Sequence, residues 1–276
     1  MDQDSRRCVR ERKSVTATSL RDRVVIITGG GRGIGYATAK RLIALGAKVS
    51  IGDIDESRVL TAADELGIEV AARLDVTDPA SFRAFYATVT DRLGTPYALI
   101  NNAAIMPVGP TLEEPDDVAR RMVDINVHGV ITGTKLALES MLPRHGGHII
   151  NVASMAGETF VPGAATYCAT KAAVIGFTEA VRLEHRTSGV EVSLVLPPSP
   201  PSTLVTGIAG PRGLRNAEPE EVADAIASLL QRPRPRAYLT GSRSGTSGLR
   251  RPSRAHGLRK PRPEVLRATR SQRKIP

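Results

Sequence analysis

The feature that most constrains the fold is a glycine-rich turn between a predicted strand and a predicted helix. Residues 24–27 are a β-branched run, residues 28–35 read TGGGRGIG, and residues 37–45 have a helical composition. Glycine lets the backbone turn sharply and approach a ligand closely, and a helix N-terminus presents free N–H groups to an anion. A turn in this context is typical of proteins that bind the phosphates of a nucleotide.

Two common phosphate-binding patterns do not fit this turn. A P-loop requires Lys and then Ser or Thr directly after its last glycine, and this chain has Tyr-Ala at 36–37. The GxGxxG spacing has no match either. A purely structural turn is the alternative, which the position directly after the first predicted strand disfavours. The pattern that remains is TGxxxGxG, formed by Thr28, Gly29, Gly33 and Gly35.

Predicted strands and helices alternate along the chain. The alternation predicts an α/β protein with a Rossmann-like, doubly wound parallel sheet that helices cover on both faces, giving three layers. A chain of 276 residues is long enough to bury the core of one such domain. The strands are predicted at residues 24–27, 48–52, 69–74, 97–101, 148–152, 190–196 and 236–240. The helices are predicted at residues 37–45, 56–66, 80–93, 115–142, 166–186 and 219–230.

The positive charge lies at the ends of the chain. The net charge is +10, but residues 232–276 contain 14 Lys and Arg against one acidic residue, and residues 24–231 sum to −6. Residues 241–276 also lack aromatic side chains, so they cannot bury enough apolar surface to offset the entropy lost on ordering. We predict one folded domain over residues 23–240, between a flexible extension at 1–22 and a basic, disordered tail at 241–276.

We expect a cytoplasmic protein that does not span a membrane. The chain contains two cysteines, Cys8 and Cys168, which are too few for a disulfide framework. The N-terminal residues are charged and lack the apolar stretch of a signal peptide, and no apolar run approaches the roughly 20 residues that cross a bilayer. The five histidines follow no metal-binding pattern, so no metal is predicted.

Asp53 bears on the choice of nucleotide. It follows the second predicted strand, where a carboxylate can accept hydrogen bonds from an adenosine ribose and would repel a 2′-phosphate. Arg32 in the glycine turn argues the other way, because a guanidinium can favour the phosphate of NADP. Asp53 could also simply initiate the next helix together with Asp55 and Glu56. We favour NAD over NADP, since the carboxylate lies closer to the group that differs between them.

A tyrosine and a lysine with helical spacing form a second candidate site. Tyr167 and Lys171 share one face of the helix predicted at 166–186. An ammonium beside a phenol stabilises the phenolate and lowers the tyrosine pKa. A tyrosine of this kind can act as a general acid or base toward an alcohol or carbonyl oxygen. Ser154, which precedes Tyr167 by thirteen residues, could donate a hydrogen bond to the same oxygen.

The tyrosine–lysine spacing occurs a second time in the chain. Tyr36 and Lys40 lie in the helix predicted after the glycine turn, but the residue thirteen positions before Tyr36 is Arg23, which has no hydroxyl group. We therefore interpret Tyr36 and Lys40 as a pair on a helix surface. Only the later pair combines the spacing with an upstream serine.

With these residues the chain resembles the short-chain dehydrogenase/reductases of the compact, single-domain type. The resemblance covers about residues 22–240, so the predicted domain would be the catalytic domain. It implies an oxidoreductase that transfers a hydride between NAD and a secondary alcohol or ketone of moderate size. It also implies a homo-oligomer, either a dimer or a tetramer. Further motif positions that support the resemblance are Asp75-Val76, Asn101-Asn102-Ala103-Ala104 and Asn126.

The resemblance implies a role for each motif position. Tyr167 would transfer the proton, Ser154 would polarise the substrate oxygen, and Lys171 would bind the nicotinamide ribose and lower the tyrosine pKa. Asn126 would hold a water molecule that links Lys171 to solvent. The cofactor would contact Thr28, Gly29, Arg32, Gly33, Ile34, Gly35, Asp53, Asp75, Val76, Asn102, Ala103, Tyr167, Lys171 and Ser202.

Three features depart from the family's usual pattern. Ala104 replaces the glycine of the NNAG segment, and the basic tail has no counterpart in the common core. Residues 197–202 read PPSPPS, which places Pro200 where a backbone N–H usually meets the nicotinamide carboxamide, and proline has no such donor. The nicotinamide end is therefore where the family's site is least well matched. Residues 199–216 are expected to form a lid.

A second class of function follows from the tail. A protein of this fold could be a binding or regulatory protein whose basic tail holds a polyanion, such as nucleic acid or an anionic membrane. The complete catalytic set disfavours this alternative, and nucleic acid is not the expected partner. The tail could also be an accidental extension of the reading frame, because it contains almost no folding signal.

Overall fold

A parallel sheet forms the centre of the fold in the computed structural model, which describes residues 17–198 and 217–239. Within these residues the sheet has seven strands, all parallel, in the order β3-β2-β1-β4-β5-β6-β7. The predicted doubly wound α/β fold is confirmed. In chain order the strands are β1 (Val24–Thr28), β2 (Lys48–Asp53), β3 (Val70–Arg73), β4 (Ala98–Asn101), β5 (Gly147–Val152), β6 (Val190–Leu196) and β7 (Arg236–Tyr238).

Seven α-helices connect the strands of the described chain. The long helix predicted at 115–142 is a continuous run of an α-helix at Asp116–Val123, a π-helical turn at Asp124–His128 and an α-helix at Gly129–Met141. The first helix starts inside the glycine turn, four residues earlier than predicted. The helices are α1 (Gly33–Ala44), α2 (Glu56–Leu66), α3 (Pro79–Leu93), α4 (Asp116–Val123), α5 (Gly129–Met141), α6 (Ala165–Glu184) and α7 (Pro219–Gln231). Short 3-10 turns lie at Thr111–Glu113, Leu142–Arg144 and Met155–Gly157.

The two faces of the sheet bury separate apolar layers. Helices α1, α2 and α7 cover one face, and α3, α5 and α6 cover the other. In β1, Val25 and Ile27 belong to the first layer, whereas Val24 and Ile26 belong to the second. A strand that is buried on both faces needs apolar residues at every position, which explains the unbroken β-branched run before the glycine turn.

The strand order places a crevice between β1 and β4. From β1 the chain builds the sheet to one side through β2 and β3, and from β4 it builds to the other side. Ligands of such sheets bind at the carboxyl ends of the strands, where the order reverses. Thr28 ends β1 and Asn101 ends β4. The glycine turn and the segment after Asn101 therefore flank the same crevice.

Residues 17–22 are part of the fold, so their assignment to a flexible extension is wrong. The side chain of Leu20 is only 2% exposed and packs into the layer of α1 and α7. The backbone N–H of Thr18 donates to the Gln231 carbonyl at 2.8 Å. One buried leucine and a few backbone bonds anchor a segment that is otherwise polar. Residues 1–16 and the predicted tail at 241–276 lie outside the described residues.

Neither a membrane span nor a metal cluster is found in the described part of the chain. Among residues 17–198 and 217–239, no helix combines the length and apolar character that crossing a membrane requires. In the same ranges, no group of three or more His, Cys, Asp or Glu side chains is arranged to hold a metal ion.

His148 is a polar residue in the middle of the sheet. Its ring is fully buried, and Nε2 lies 2.8 Å from Ser193 Oγ on β6. Ser193 donates its own proton to the Arg234 carbonyl at 2.7 Å, so it accepts from Nε2–H of a neutral imidazole. Nδ1 has no hydrogen-bond partner among the described residues. Burial lowers the pKa of His148 from 6.5 to about 3.

The buried imidazole makes stability sensitive to acid. In the unfolded chain His148 takes up a proton below about pH 6.5, whereas in the folded chain it stays neutral down to about pH 3. The free energy of unfolding should therefore fall with decreasing pH across this window, by up to about 1.4 kcal/mol per pH unit. His148→Leu should reduce the slope in urea unfolding followed by circular dichroism. Ser193→Ala, which keeps the imidazole, should retain the full slope. Equal slopes in the unmodified protein and both variants would contradict this explanation.

Candidate active site

Hydrogen bonds of Thr28 join the two strand ends that flank the crevice. Thr28 Oγ1 accepts from the backbone N–H groups of Asn102 and Ala103, each at 3.0 Å. In the other direction, Asn102 Nδ2 donates to the carbonyl oxygens of Thr28 and Gly29, both at 3.0 Å. These four bonds hold the start of the glycine turn against the segment that follows β4.

Each glycine of the turn meets a different physical limit. Gly29 and Gly33 have φ angles of +66° and +54°, which side chains of L-residues disfavour. At Gly35 the limit is space, because a Cβ there would lie 2.1 Å from the Gly29 carbonyl oxygen. Arg32 precedes α1 without a side-chain cap, and Gly33 and Ile34 line the crevice. The first N–H groups of α1 are thus placed for an anionic ligand.

Asp53 is held at the mouth of the crevice by backbone donors. Its Oδ2 accepts from the N–H of Gly31 at 3.0 Å, and its Oδ1 accepts from the N–H of Asp55 at 3.2 Å. Asp55 caps α2 and lies 3.3 Å from the Arg58 guanidinium. Hydrogen bonds from the Arg58 N–H and Ser57 lower the pKa of Asp55, and the charges of Arg58 and Arg32 act in the same direction. The cations near Asp53 are therefore partly paired with a second carboxylate.

Asp75 and Val76 form the next part of the wall. The Asp75 carboxylate accepts from both the hydroxyl and the backbone N–H of Thr77, at 2.6 and 3.0 Å. These bonds outweigh burial and lower the pKa of Asp75, with smaller contributions from the charges of Arg73 and Arg121. Val76 is buried and packs close to Gly129. A Cβ added to Gly129 would lie 2.9 Å from Val76 Cγ2.

Ser154 and Tyr167 meet at the other end of the crevice. Ser154 follows β5 and caps the 3-10 turn Met155–Gly157, its Oγ accepting from the Ala156 N–H at 3.1 Å. Burial raises the pKa of Tyr167 above its ordinary value of 10, and a hydrogen bond with Ser154 only partly offsets that rise. The prediction of a lowered tyrosine pKa is therefore wrong for the polypeptide by itself.

Lys171 is buried beneath Tyr167. Its Nζ donates to the Val152 carbonyl at 3.0 Å and lies 5.6 Å from the centre of the Tyr167 ring. Burial lowers the pKa of Lys171 from 10.5 to about 8. The ammonium is therefore still mostly charged at neutral pH, one helical turn from the phenol.

Asn126 lies in the π-helical turn and uses its side chain to join two segments. Its Oδ1 accepts from the Ile105 N–H at 2.9 Å, and its Nδ2 donates to the Ile105 carbonyl at 2.9 Å and to Thr170 Oγ1 at 3.1 Å. Both amide hydrogens are thus engaged with protein atoms. The structure places Asn126 as a clamp between the loop after β4 and α6, and the water-holding role stays a prediction.

One cavity of about 990 Å³ connects these parts. Thr28, Gly35 and Asn126 do not line the cavity. Each contacts a residue that does, namely Asn102, Gly29 and Ile105 respectively. Ser202 and the predicted lid at 199–216 lie outside the described residues. The predicted site residues that line the cavity are Gly29, Arg32, Gly33, Ile34, Asp53, Asp75, Val76, Asn102, Ala103, Ser154, Tyr167 and Lys171.

Several residues that complete the site are not identifiable from the sequence alone. Ile105 and Thr170 are the partners of Asn126, and their role depends on contacts distant in sequence. The Pro197 carbonyl accepts from the Met155 N–H at 2.9 Å, so the start of the proline segment is tied to the Ser154 turn. The second tyrosine–lysine pair, Tyr36 and Lys40, does not line the cavity. Tyr36 instead donates to Glu65 at 2.9 Å on the surface.

Two glycine substitutions separate crowding from backbone strain. Gly35→Ala puts a methyl group against the Gly29 carbonyl and should reduce the free energy of unfolding by about 3 kcal/mol. Gly33→Ala meets no atom within 4 Å and carries only the positive φ, so it should cost about 1 kcal/mol. Urea unfolding measures both. Equal losses would show that the close approach at Gly35 does not limit this position.

Both the sequence and the fold are similar to those of known proteins. The family model described as short chain dehydrogenase matches residues 23–208. A meso-2,3-butanediol dehydrogenase of Serratia marcescens is 35% identical over 221 residues, covering 75% of this chain and 87% of that protein. The solved structure of a putative short-chain dehydrogenase from Novosphingobium aromaticivorans superposes with a TM-score of 0.71 and 26% identity, covering 80% of this chain and 81% of the other.

A longer relative also matches. The probable oxidoreductase EphD of Mycobacterium tuberculosis is 34% identical over 238 residues, covering 78% of this chain. The match accounts for 40% of that protein, so the chain spans less than half of its length.

Proposed function

The chain belongs to the short-chain dehydrogenase family, and we propose that it transfers a hydride between NAD and a secondary alcohol or ketone. The observation that carries the proposal is the shared cavity, which the glycine turn lines at one end and Ser154 and Tyr167 line at the other. A nucleotide held at the first end would extend toward the second. A homo-oligomer, dimer or tetramer, is part of the same proposal by analogy with the family.

The residues of the cavity fit a dinucleotide. Gly33 has open space where a side chain would lie, and the start of α1 offers N–H groups to a pyrophosphate. Asp53 would accept hydrogen bonds from the adenosine ribose, and its fixed carboxylate disfavours a 2′-phosphate. The charge interaction of Arg32 with Asp55 weakens the opposing argument for NADP, which rests on Arg32. When bound, NAD supplies the hydride acceptor or donor.

Three side chains at the far end would handle the proton. The Tyr167 phenol is protonated at neutral pH in the polypeptide, so it can donate to a carbonyl oxygen and receive the proton back from an alcohol. Ser154 would donate a hydrogen bond to the same oxygen. The Lys171 ammonium supplies positive charge near the phenolate that remains after donation, which lowers the cost of forming it.

The cavity favours a substrate without a large charge at the reacting end. Ile105, Met106 and Pro197 line it, and all three are apolar. Ile105 and Met106 pack against the cluster that contains Tyr167. The Serratia relative is named for a small vicinal diol. We therefore propose uncharged secondary alcohols, diols and the corresponding ketones as the substrate class, with meso-2,3-butanediol and acetoin as first compounds to test.

Tyr167→Phe tests the proton-transfer role. Loss of the phenol oxygen removes the acid–base group, so turnover of NAD with the active alcohol should fall by about 10²–10⁴-fold. Binding of NADH, followed by its fluorescence, should be retained. Tyr36→Phe is the matched control, because it removes a phenol with the same lysine spacing from α1 and should leave turnover unchanged. Full activity of Tyr167→Phe would contradict the mechanism.

Asp53→Asn tests the nucleotide preference. Removing the charge keeps a similar shape but ends the repulsion of a 2′-phosphate, so the ratio of NAD to NADP affinity should fall by about tenfold, equivalent to about 1.4 kcal/mol. Calorimetric titration with both nucleotides measures the ratio. Glu56→Gln, an exposed carboxylate three residues away, is the control and should not change it. Tighter binding of NADP than NAD by the unmodified protein would refute the assignment.

A further inference from the structure

An ion-pair cluster outside the cavity joins three elements around Arg236. The Arg236 Nε donates to Glu179 Oε1 on α6 at 2.6 Å, and its Nη1 donates to Glu158 and to Tyr238 Oη, the latter at 3.0 Å. Tyr238 in turn donates to Glu158 Oε1 at 3.1 Å. The charged side chains are 22–34% exposed, so water screens these contacts only in part. The guanidinium thus bridges two carboxylates from different parts of the chain.

Glu158 belongs to the turn that carries Ser154. The Gly157 N–H donates to the Ser154 carbonyl at 3.0 Å, and the Glu158 N–H donates to the Met155 carbonyl at 2.9 Å. The Ala156 N–H donates to Ser154 Oγ. A shift of Glu158 would therefore be transmitted to Ser154 through a tight turn of only three intervening residues.

Glu179 belongs to the helix that carries Tyr167 and Lys171. The Ser154 turn contacts this helix closely, because a Cβ on Gly157 would lie 2.7 Å from the Lys171 carbonyl carbon. Burial acts to raise the pKa of Glu179, but the hydrogen bonds and charges of Arg182 and Arg236 together outweigh it and lower the pKa. The joint between turn and helix therefore has a carboxylate on each side, with the cation of Arg236 between them.

We propose that Arg236 is a positioning residue, whose guanidinium holds the Ser154 turn against α6 and so sets the position of the Ser154 hydroxyl relative to the Tyr167 phenol. The planar fork of arginine can bind two carboxylates at once, which the point charge of lysine does less well. Without this cation Glu158 loses its ion-pair partner, whereas Glu179 keeps Arg182, so the turn and the helix lose the bridge between them. The catalytic consequence rests on the proposed function, whereas the structural consequence does not.

Hydrogen exchange of the full-length protein tests the structural part. Arg236→Gln should speed amide exchange in a peptide covering residues 154–159 several-fold, while the peptide covering the glycine turn stays unchanged. Arg236→Lys should fall in between. Arg236→Gln combined with Glu158→Gln should recover part of the protection, because the carboxylate that lost its cation is then neutral as well, and loss of packing alone would not be rescued in this way. Arg83→Gln, which breaks the exposed Arg83–Glu139 pair, is the control and should have no effect.

Steady-state kinetics test the catalytic part. For Arg236→Gln, kcat with the active alcohol should fall about tenfold while KM for NAD stays constant, because a small displacement of a reacting group slows turnover without touching the nucleotide end. If Arg236→Gln does not fold, Glu158→Gln alone should show smaller changes of the same kind. If amide exchange at residues 154–159 is the same in Arg236→Gln as in the unmodified protein, the inference is overturned. It is also overturned if exchange there is faster but kcat is unchanged. An unmodified protein without activity on any alcohol refutes the proposed function instead, and the exchange result then decides the positional claim alone.

Discussion

The hydrogen bonds between Thr28 and the segment Asn102–Ala103 are the contacts on which the rest of the site depends. They join the ends of β1 and β4, where the strand order of the sheet reverses. The segment after β4 continues to Ile105, which Asn126 clamps, and Asn126 also binds Thr170 on α6. A continuous series of hydrogen bonds and peptide links therefore connects the glycine turn to the helix of Tyr167 and Lys171. The two ends of the cavity are held by one framework.

Burial dominates the electrostatics around Tyr167 and Lys171. Removal from water favours the neutral form of both groups. Burial therefore raises the pKa of Tyr167 and lowers that of Lys171 to about 8. The polypeptide alone thus holds a protonated phenol beside a lysine that loses its proton more readily than usual but is still mostly charged at neutral pH. Stabilising a phenolate would require further favourable charge or hydrogen bonding at the site when ligands are bound. At the glycine-turn end of the cavity, Asp53 and Asp75 are instead held by backbone and hydroxyl donors.

The fold was predictable because its signals are local. The β-branched run before the glycine turn and the repeated strand–helix alternation each depend on residues close in sequence, and the sheet confirmed them. Leu20 was missed because one apolar residue in a polar segment has no periodicity to detect. The clamp of Asn126 on Ile105 and the bridge of Arg236 between Glu158 and Glu179 join residues tens of positions apart. No spacing rule in a single sequence identifies such contacts.

A crystal structure of the protein with NAD and an alcohol substrate analogue would test the shared cavity most directly. The proposed function predicts the pyrophosphate against the N–H groups of Gly33 and Ile34, the adenosine ribose at Asp53, and the analogue's oxygen within about 3–3.5 Å of Tyr167 and Ser154. Nucleotide bound elsewhere would contradict the account. So would a nicotinamide ring that points away from Tyr167 while the adenosine occupies its predicted place.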